Sequence, residues 1–117
     1  MKISELAKKT NVSVRMLRYY EEQGILTPKR TDTGYRVYSE QDYQTIERVK
    51  LLSAAGMTLK TMLLFLPCIR AERPIFEPCD ELRTVLQQQI SATNSKMKEL
   101  AKSKAILSEF LTEIENA

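Results

Sequence analysis

Residues 80–115 contain neither glycine nor proline, and apolar side chains recur along them at spacings of four and three. The series is Leu86, Ile90, Thr93, Met97, Leu100, Lys104, Leu107, Leu111 and Ile114. This is a heptad seam over about four repeats. Thr93 and Lys104 interrupt it and are suited to setting register or orientation. At ~1.5 Å per residue such a helix is ~54 Å long. A solitary exposed helix with that stripe is unstable, so it needs a partner. A second copy of the chain is the nearest candidate; folding back on its own N-terminal part is the alternative.

The remaining residues divide in two. Residues 1–66 hold short amphipathic segments broken by turn signals, and residues 67–79, PCIRAERPIFEPC, hold three of the four prolines and both cysteines. The expected organisation is a domain over 1–66, a Pro/Cys linker over 67–79 and a dimerisation helix over 80–117. No apolar run approaches the roughly 18 residues of a membrane span. The N-terminus, MKISELAKK, lacks a signal-peptide stretch. The expectation is a cytoplasmic chain with no membrane partner, whose thiols are reduced. Charge is uneven: residues 1–60 carry 11 Lys/Arg against 7 Asp/Glu, and residues 61–117 carry 7 against 8. A net +4 first half suits a polyanion. The chain has no histidine, the commonest general base and a common metal ligand. Its glycines, Gly24, Gly34 and Gly56, form no phosphate loop. Neither an enzyme, nor a cofactor, nor a metal site is expected.

Within residues 1–66, Ser4 reads as the N-cap of a first helix, which Thr10-Asn11 breaks. Ser13 caps a second helix, VRMLRYYEEQ, ending at Gly24. Two short helices joined by a few polar or small residues form a helix-turn-helix. Val12, Leu17 and Tyr20 point inward, and Arg15, Arg18, Tyr19 and Glu22 share the opposite face. Arginine donates in pairs to guanine O6 and N7, and Arg and Tyr both bind phosphate. The bland alternative is a solvated charged face. Thr31-Asp32-Thr33-Gly34 is a tight turn between two short strands, a basic hairpin in which Lys29, Arg30 and Arg36 face phosphate. Ser39 and Asp42 resemble a capping box opening a helix with Ile46, Val49 and Leu52 inward. Gly56 ends it. Thr58 starts LKTMLLFL, which Pro67 stops, with Lys60 near an amide-rich helix start.

The run from Val14 to Leu26, VRMLRYYEEQGIL, followed by Gly34-Tyr35-Arg36-Val37-Tyr38, resembles the MerR family of bacterial regulators. Gly56-Met57-Thr58-Leu59 resembles the start of that family's fourth DNA-domain helix. The resemblance implies a mainly α fold: a winged helix-turn-helix domain with a β-hairpin wing, then a long helix forming an antiparallel coiled coil. It implies a homodimeric transcription regulator that bends and untwists promoter DNA and so acts on RNA polymerase indirectly, through the DNA. The candidate DNA-binding residues are Arg15, Arg18, Tyr19, Tyr20, Lys29, Arg30, Arg36, Tyr38 and Lys60. The candidate dimerisation residues are Leu86, Ile90, Met97, Leu100, Leu107, Leu111 and Ile114. A DNA-architectural or recombination accessory protein using the same domain is the alternative function.

Cys68 and Cys79 flank the linker and are the candidate sensing residues. Cys79 resembles the first cysteine of metal-sensing relatives, but the downstream pair of that pattern is absent. Packing, redox or electrophile sensing, and soft-metal binding stay open. No sizeable effector domain is expected after the long helix.

Overall fold

The computed structural model describes residues 1–70 and 80–117. The order of elements is α1 (Ile3–Thr10), α2 (Val14–Glu22), β1 (Lys29–Arg30), β2 (Arg36–Val37), α3 (Glu40–Ala54), α4 (Leu59–Leu63), α5 (Leu66–Ile69) and α6 (Asp80–Glu115). It is the mainly α architecture with a small hairpin and a long C-terminal helix that the sequence implies. The chain forms two compact units, Met1–Leu82 and Arg83–Ala117.

In the first unit, α1 starts at Ile3 with Lys2 as its N-cap, and no side chain caps it. Ser4 therefore lies inside the helix rather than at its cap. The reason is the core stripe. Starting at Ile3 puts Ile3, Leu6, Ala7 and Thr10 at i, i+3, i+4 and i+7, on one face. Leu6 and Thr10 are buried, and Ile3 and Ala7 pack on the same core. That burial outweighs the stabilisation of roughly 1 kcal/mol that a serine cap gives. Asn11 closes the helix at φ 58°, a left-handed conformation asparagine tolerates. Lys50 Nζ caps the same end by donating to the Thr10 carbonyl at 2.6 Å.

Ser13 Oγ accepts from the Met16 amide at 3.1 Å and starts α2 as expected. After α2 the chain turns at Gly24, whose φ of +85° strains any side chain. Ile25 and Leu26 then enter the core. Leu6, Leu17, Leu26, Tyr38 and Ile46 form one buried cluster, joined by Val12, Tyr20 and Tyr43 at its margin. α3 opens with the full reciprocal capping box of Ser39 and Asp42. Ile46 and Val49 are buried, while Leu52 is half-buried.

The hairpin is antiparallel, pairing Lys29 with Val37 and Arg30 with Arg36. Its turn is closed by the Thr31 amide to the Tyr35 carbonyl at 2.7 Å and the Gly34 amide to the Thr31 carbonyl at 2.9 Å. Both strands are exposed.

Pro67 does not end the fourth helix. α4 stops at Leu63, and Pro67 sits in the first turn of α5. A first-turn proline forfeits no hydrogen bond and has its φ already set for a helix. Cys68 and Ile69 on α5 are buried. The segment expected as a linker thus begins with a packed helical turn of the first unit. Cys79 lies outside the described residues.

α6 is one continuous helix of 36 residues, with Asp80 and Glu81 in its first turn, where the helix dipole favours negative charge. The seven apolar seam residues from Leu86 to Ile114 are 37% to 72% exposed in the single chain. Ile106 and Phe110 add apolar surface that the heptad reading leaves out. Among the described residues no helix is long and apolar enough to cross a membrane.

Candidate nucleic-acid interface

A three-residue turn, Asn11 to Ser13, joins α1 to α2. Ser13 fixes where α2 begins, and the burial of Leu17 fixes its rotation. Arg15, Arg18 and Tyr19 are left exposed, as the spacing predicts. Met16, at 40% exposed, also reaches the surface. Tyr20 is half-buried against the core, and its ring lies 6.4 Å from that of Tyr19 at a tilt of 48°. Burial raises the Tyr20 phenol above its ordinary pKa.

Lys29, Arg30 and Arg36 are exposed on the hairpin. Arg36 has a further role. Its Nε donates to Glu21 Oε1 on α2 at 2.8 Å. A partly exposed ion pair of this kind stabilises by about 0–1 kcal/mol. Its consequence is geometric, because it braces the wing against the recognition helix. Arg30 Nη1 donates to the Gly34 carbonyl at 3.4 Å across the hairpin.

Tyr38 departs from the expectation of a surface contact. The residue is only 1% exposed, and its ring belongs to the core cluster. Its backbone pairs with Met1: the Tyr38 amide donates to the Met1 carbonyl at 2.7 Å. Its hydroxyl is buried without a hydrogen-bond partner. Burial first, and the charge of Glu21 next, raise the Tyr38 phenol above 10.0, so it stays a neutral donor. Tyr38 lines a cleft of about 420 Å³ between α2 and the wing, together with Lys2, Arg18, Glu21, Tyr35 and Arg36.

Lys60 is exposed, but it stands on the five-residue α4, where the Thr58 hydroxyl already takes the Thr61 amide at 3.3 Å. Lys2, Glu21 and Tyr35 escaped the sequence reading. Tyr35 is 72% exposed beside the hairpin turn, and its place directly after Gly34 was the available signal. Lys2 and Glu21 carry no such local signal, because their roles depend on the wing folding back over α2. Cys68 is buried on α5, as a packing residue is. No group of three or more His, Cys, Asp or Glu suited to a metal ion occurs among the described residues.

A helix-turn-helix followed by a basic hairpin braced to its second helix defines a winged helix-turn-helix DNA-binding domain. Residues 1–62 match the family model described as the MerR HTH family regulatory protein, and the chain belongs to that family. It is 39% identical over 72 residues to the regulator YfmP of Bacillus subtilis (strain 168), covering 60% of this chain and 51% of that one. It is 30% identical over 100 residues to ZntR of Escherichia coli (strain K12), covering 85% of this chain and 70% of that one. The chain spans about half the length of YfmP and of AdhR, also from Bacillus subtilis (strain 168).

Two solved structures extend the likeness beyond the DNA-binding domain. HiNmlR, a MerR family regulator lacking the sensor domain and bound to promoter DNA, superposes with a TM-score of 0.68 at 23% identity, over 99% of this chain and 90% of that one. PbrR691 from Ralstonia metallidurans CH34, in complex with lead(II), superposes with a TM-score of 0.66 at 31% identity, over 93% of this chain and 83% of that one. These relatives are transcription regulators, not enzymes.

Proposed function

We propose that the chain binds promoter DNA sequence-specifically as a homodimer, with α2 in the major groove and the wing on the flanking backbone. The observation that carries this reading is the surface made by α2 and the wing together. Arg15, Arg18 and Tyr19 are exposed on the helix. The Arg36–Glu21 pair holds the wing beside them, and Lys2, Arg18, Tyr35 and Arg36 line the cleft between. Arg15 and Arg18 read base edges, while Lys29, Arg30, Arg36 and Lys60 meet phosphates. Tyr38 supports the wing from the core beneath the cleft. Tyr20 acts from below by supporting Tyr19.

The seam on α6 brings two such domains onto one site. Its apolar side chains are exposed in the single chain and need a second helix. Two domains held by one coiled coil bind a two-fold site, and a change in the angle between them bends and untwists the DNA. RNA polymerase is then affected through the DNA alone.

Sequencing the genomic DNA bound by the protein tests this. Sites lying between the promoter elements of a few genes are expected. Sites scattered without regard to promoters would refute the regulatory reading.

A further inference from the structure

Two arginines tie the end of the recognition helix to the segment that leaves the DNA-binding unit. Arg70, the last described residue before the stretch that leads to α6, turns back toward α2. Its Nε and Nη2 donate to the Gly24 carbonyl at 3.0 and 2.6 Å. That carbonyl lies just past the C-terminus of α2, where the helix dipole favours a cation. Arg48 on α3 holds the other side of the same segment. Its Nη1 lies 3.4, 3.3 and 3.3 Å from the carbonyls of Cys68, Ile69 and Arg70. These are the carbonyls an α-helix leaves without internal partners, and here an arginine takes them. The packing is close as well. A Cβ on Gly24 would meet Leu66 Cδ1 at 3.5 Å and Arg70 Nη2 at 3.6 Å, on a backbone already at φ +85°.

We propose that Arg70 is a positioning residue for DNA reading: through the Gly24 carbonyl it makes the orientation of the recognition helix follow the segment that leads into the long helix. Arg48 anchors that segment to α3, so the end of α2 and the exit of the domain move as one piece. Neither arginine needs to touch DNA. The proposal rests on the reading of the chain as a dimeric DNA-binding regulator. In such a dimer the clamp makes the spacing of two half-sites matter, because each recognition helix keeps a fixed orientation to its exit. Without the Arg70 bonds α2 stays on its core through Leu17 but is released from Arg70, so each domain turns to its own half-site.

The test uses the full-length protein and a duplex selected by it from a random-sequence library. Affinity is measured for that duplex and for versions with one base pair inserted or deleted between half-sites, a shift of about 3.4 Å along the axis and a turn of about 35° around it. Wild type is expected to prefer the selected spacing by at least about tenfold, or 1.4 kcal/mol. Arg70→Met keeps the stem and removes the donors. It is expected to bind all three duplexes within about threefold of one another while retaining most of its affinity for a single half-site. Arg70→Lys retains one donor to Gly24 and is expected to keep an intermediate preference. It also decides the matter if the methionine variant fails to fold. An unchanged spacing preference in the folded variants overturns the proposal. So does an equal loss of affinity on every duplex together with a lower melting temperature, the pattern of a merely structural contact. A wild type without spacing preference overturns the dimeric reading and this proposal with it.

Discussion

The two units of this chain treat apolar side chains in opposite ways. In Met1–Leu82, Leu6, Leu17, Ile46 and Met62 are 0% exposed, and the unit closes a core with its own residues. In Arg83–Ala117, Leu100, Leu107 and Ile114 are about 70% exposed, on a helix that has nothing else to offer. One unit is complete within one chain. The other leaves its apolar seam uncovered. The contrast separates reading DNA, which the first unit is built for, from assembling two readers, the role proposed for the second.

The largest expected effect breaks the first half of that contrast. Leu17→Ala opens a cavity beneath the recognition helix and is expected to destabilise the first unit by about 2–5 kcal/mol. Thermal melts followed by circular dichroism check this, with the helicity of residues 83–117 surviving the loss of the domain. A cost under about 1 kcal/mol would mean the core is not closed as described.

Leu100→Asp attacks the other half. A charge in the middle of the seam is expected to turn a dimer into a monomer in sedimentation and to leave the stability of the first unit unchanged. Operator binding is lost with it, since one half-site binds weakly. A dimer that survives this change does not use the seam.

Arg18→Ala and Arg36→Ala sharpen the division of labour within the first unit. Arg18→Ala is expected to cost about 1–3 kcal/mol on the specific site and to relax specificity at one base position. Arg36→Ala is expected to weaken all sequences alike and to lower the salt dependence of binding. Because it also releases the brace on Glu21, its effect is expected to exceed that of Arg30→Ala. Affinities measured at several salt concentrations distinguish these outcomes.

The smallest effect is the most telling about Tyr38. Replacing it with Phe removes a buried hydroxyl that has no partner in the free protein, which is expected to be neutral or to stabilise by up to about 1 kcal/mol and to leave DNA binding unchanged. The phenol also titrates. Its native pKa is raised above 10.0, so above pH 10 the unfolded chain loses its proton first. Stability from this group is full below 10 and falls as pH rises through the raised value. Tyr38→Phe is expected to reduce that alkaline decline in melts across pH 9–12. An unaltered decline would assign it to other groups.

What could be read from the sequence follows the range of the forces involved. Ser13, Gly24, Gly34 and the Ser39–Asp42 box act on neighbours within four residues, and the elements they mark lie where the sequence places them. Ser4 misled because the core stripe of Ile3, Leu6, Ala7 and Thr10 overrides a local cap. Pro67 misled because a proline, which breaks a helix interior, is at home in a helix's first turn, and here it opens α5. Arg48 and Arg70 gave no signal, since their carbonyl partners lie 20 to 46 residues away. Tyr38 sits in a motif that reads as surface, yet the wing folds its ring inward and its hydroxyl is buried with it. Ile106 and Phe110 fell outside a template with two apolar positions per seven.

The claim that joins the two units is that α6 sets two recognition helices on one two-fold site. Selection from a random duplex library with the full-length protein, followed by sequencing, tests it most directly. The account predicts enrichment of an inverted repeat, its half-sites at one fixed spacing, and loss of that repeat with Leu100→Asp. Enrichment of a single half-site, or of no sequence at all, would contradict it.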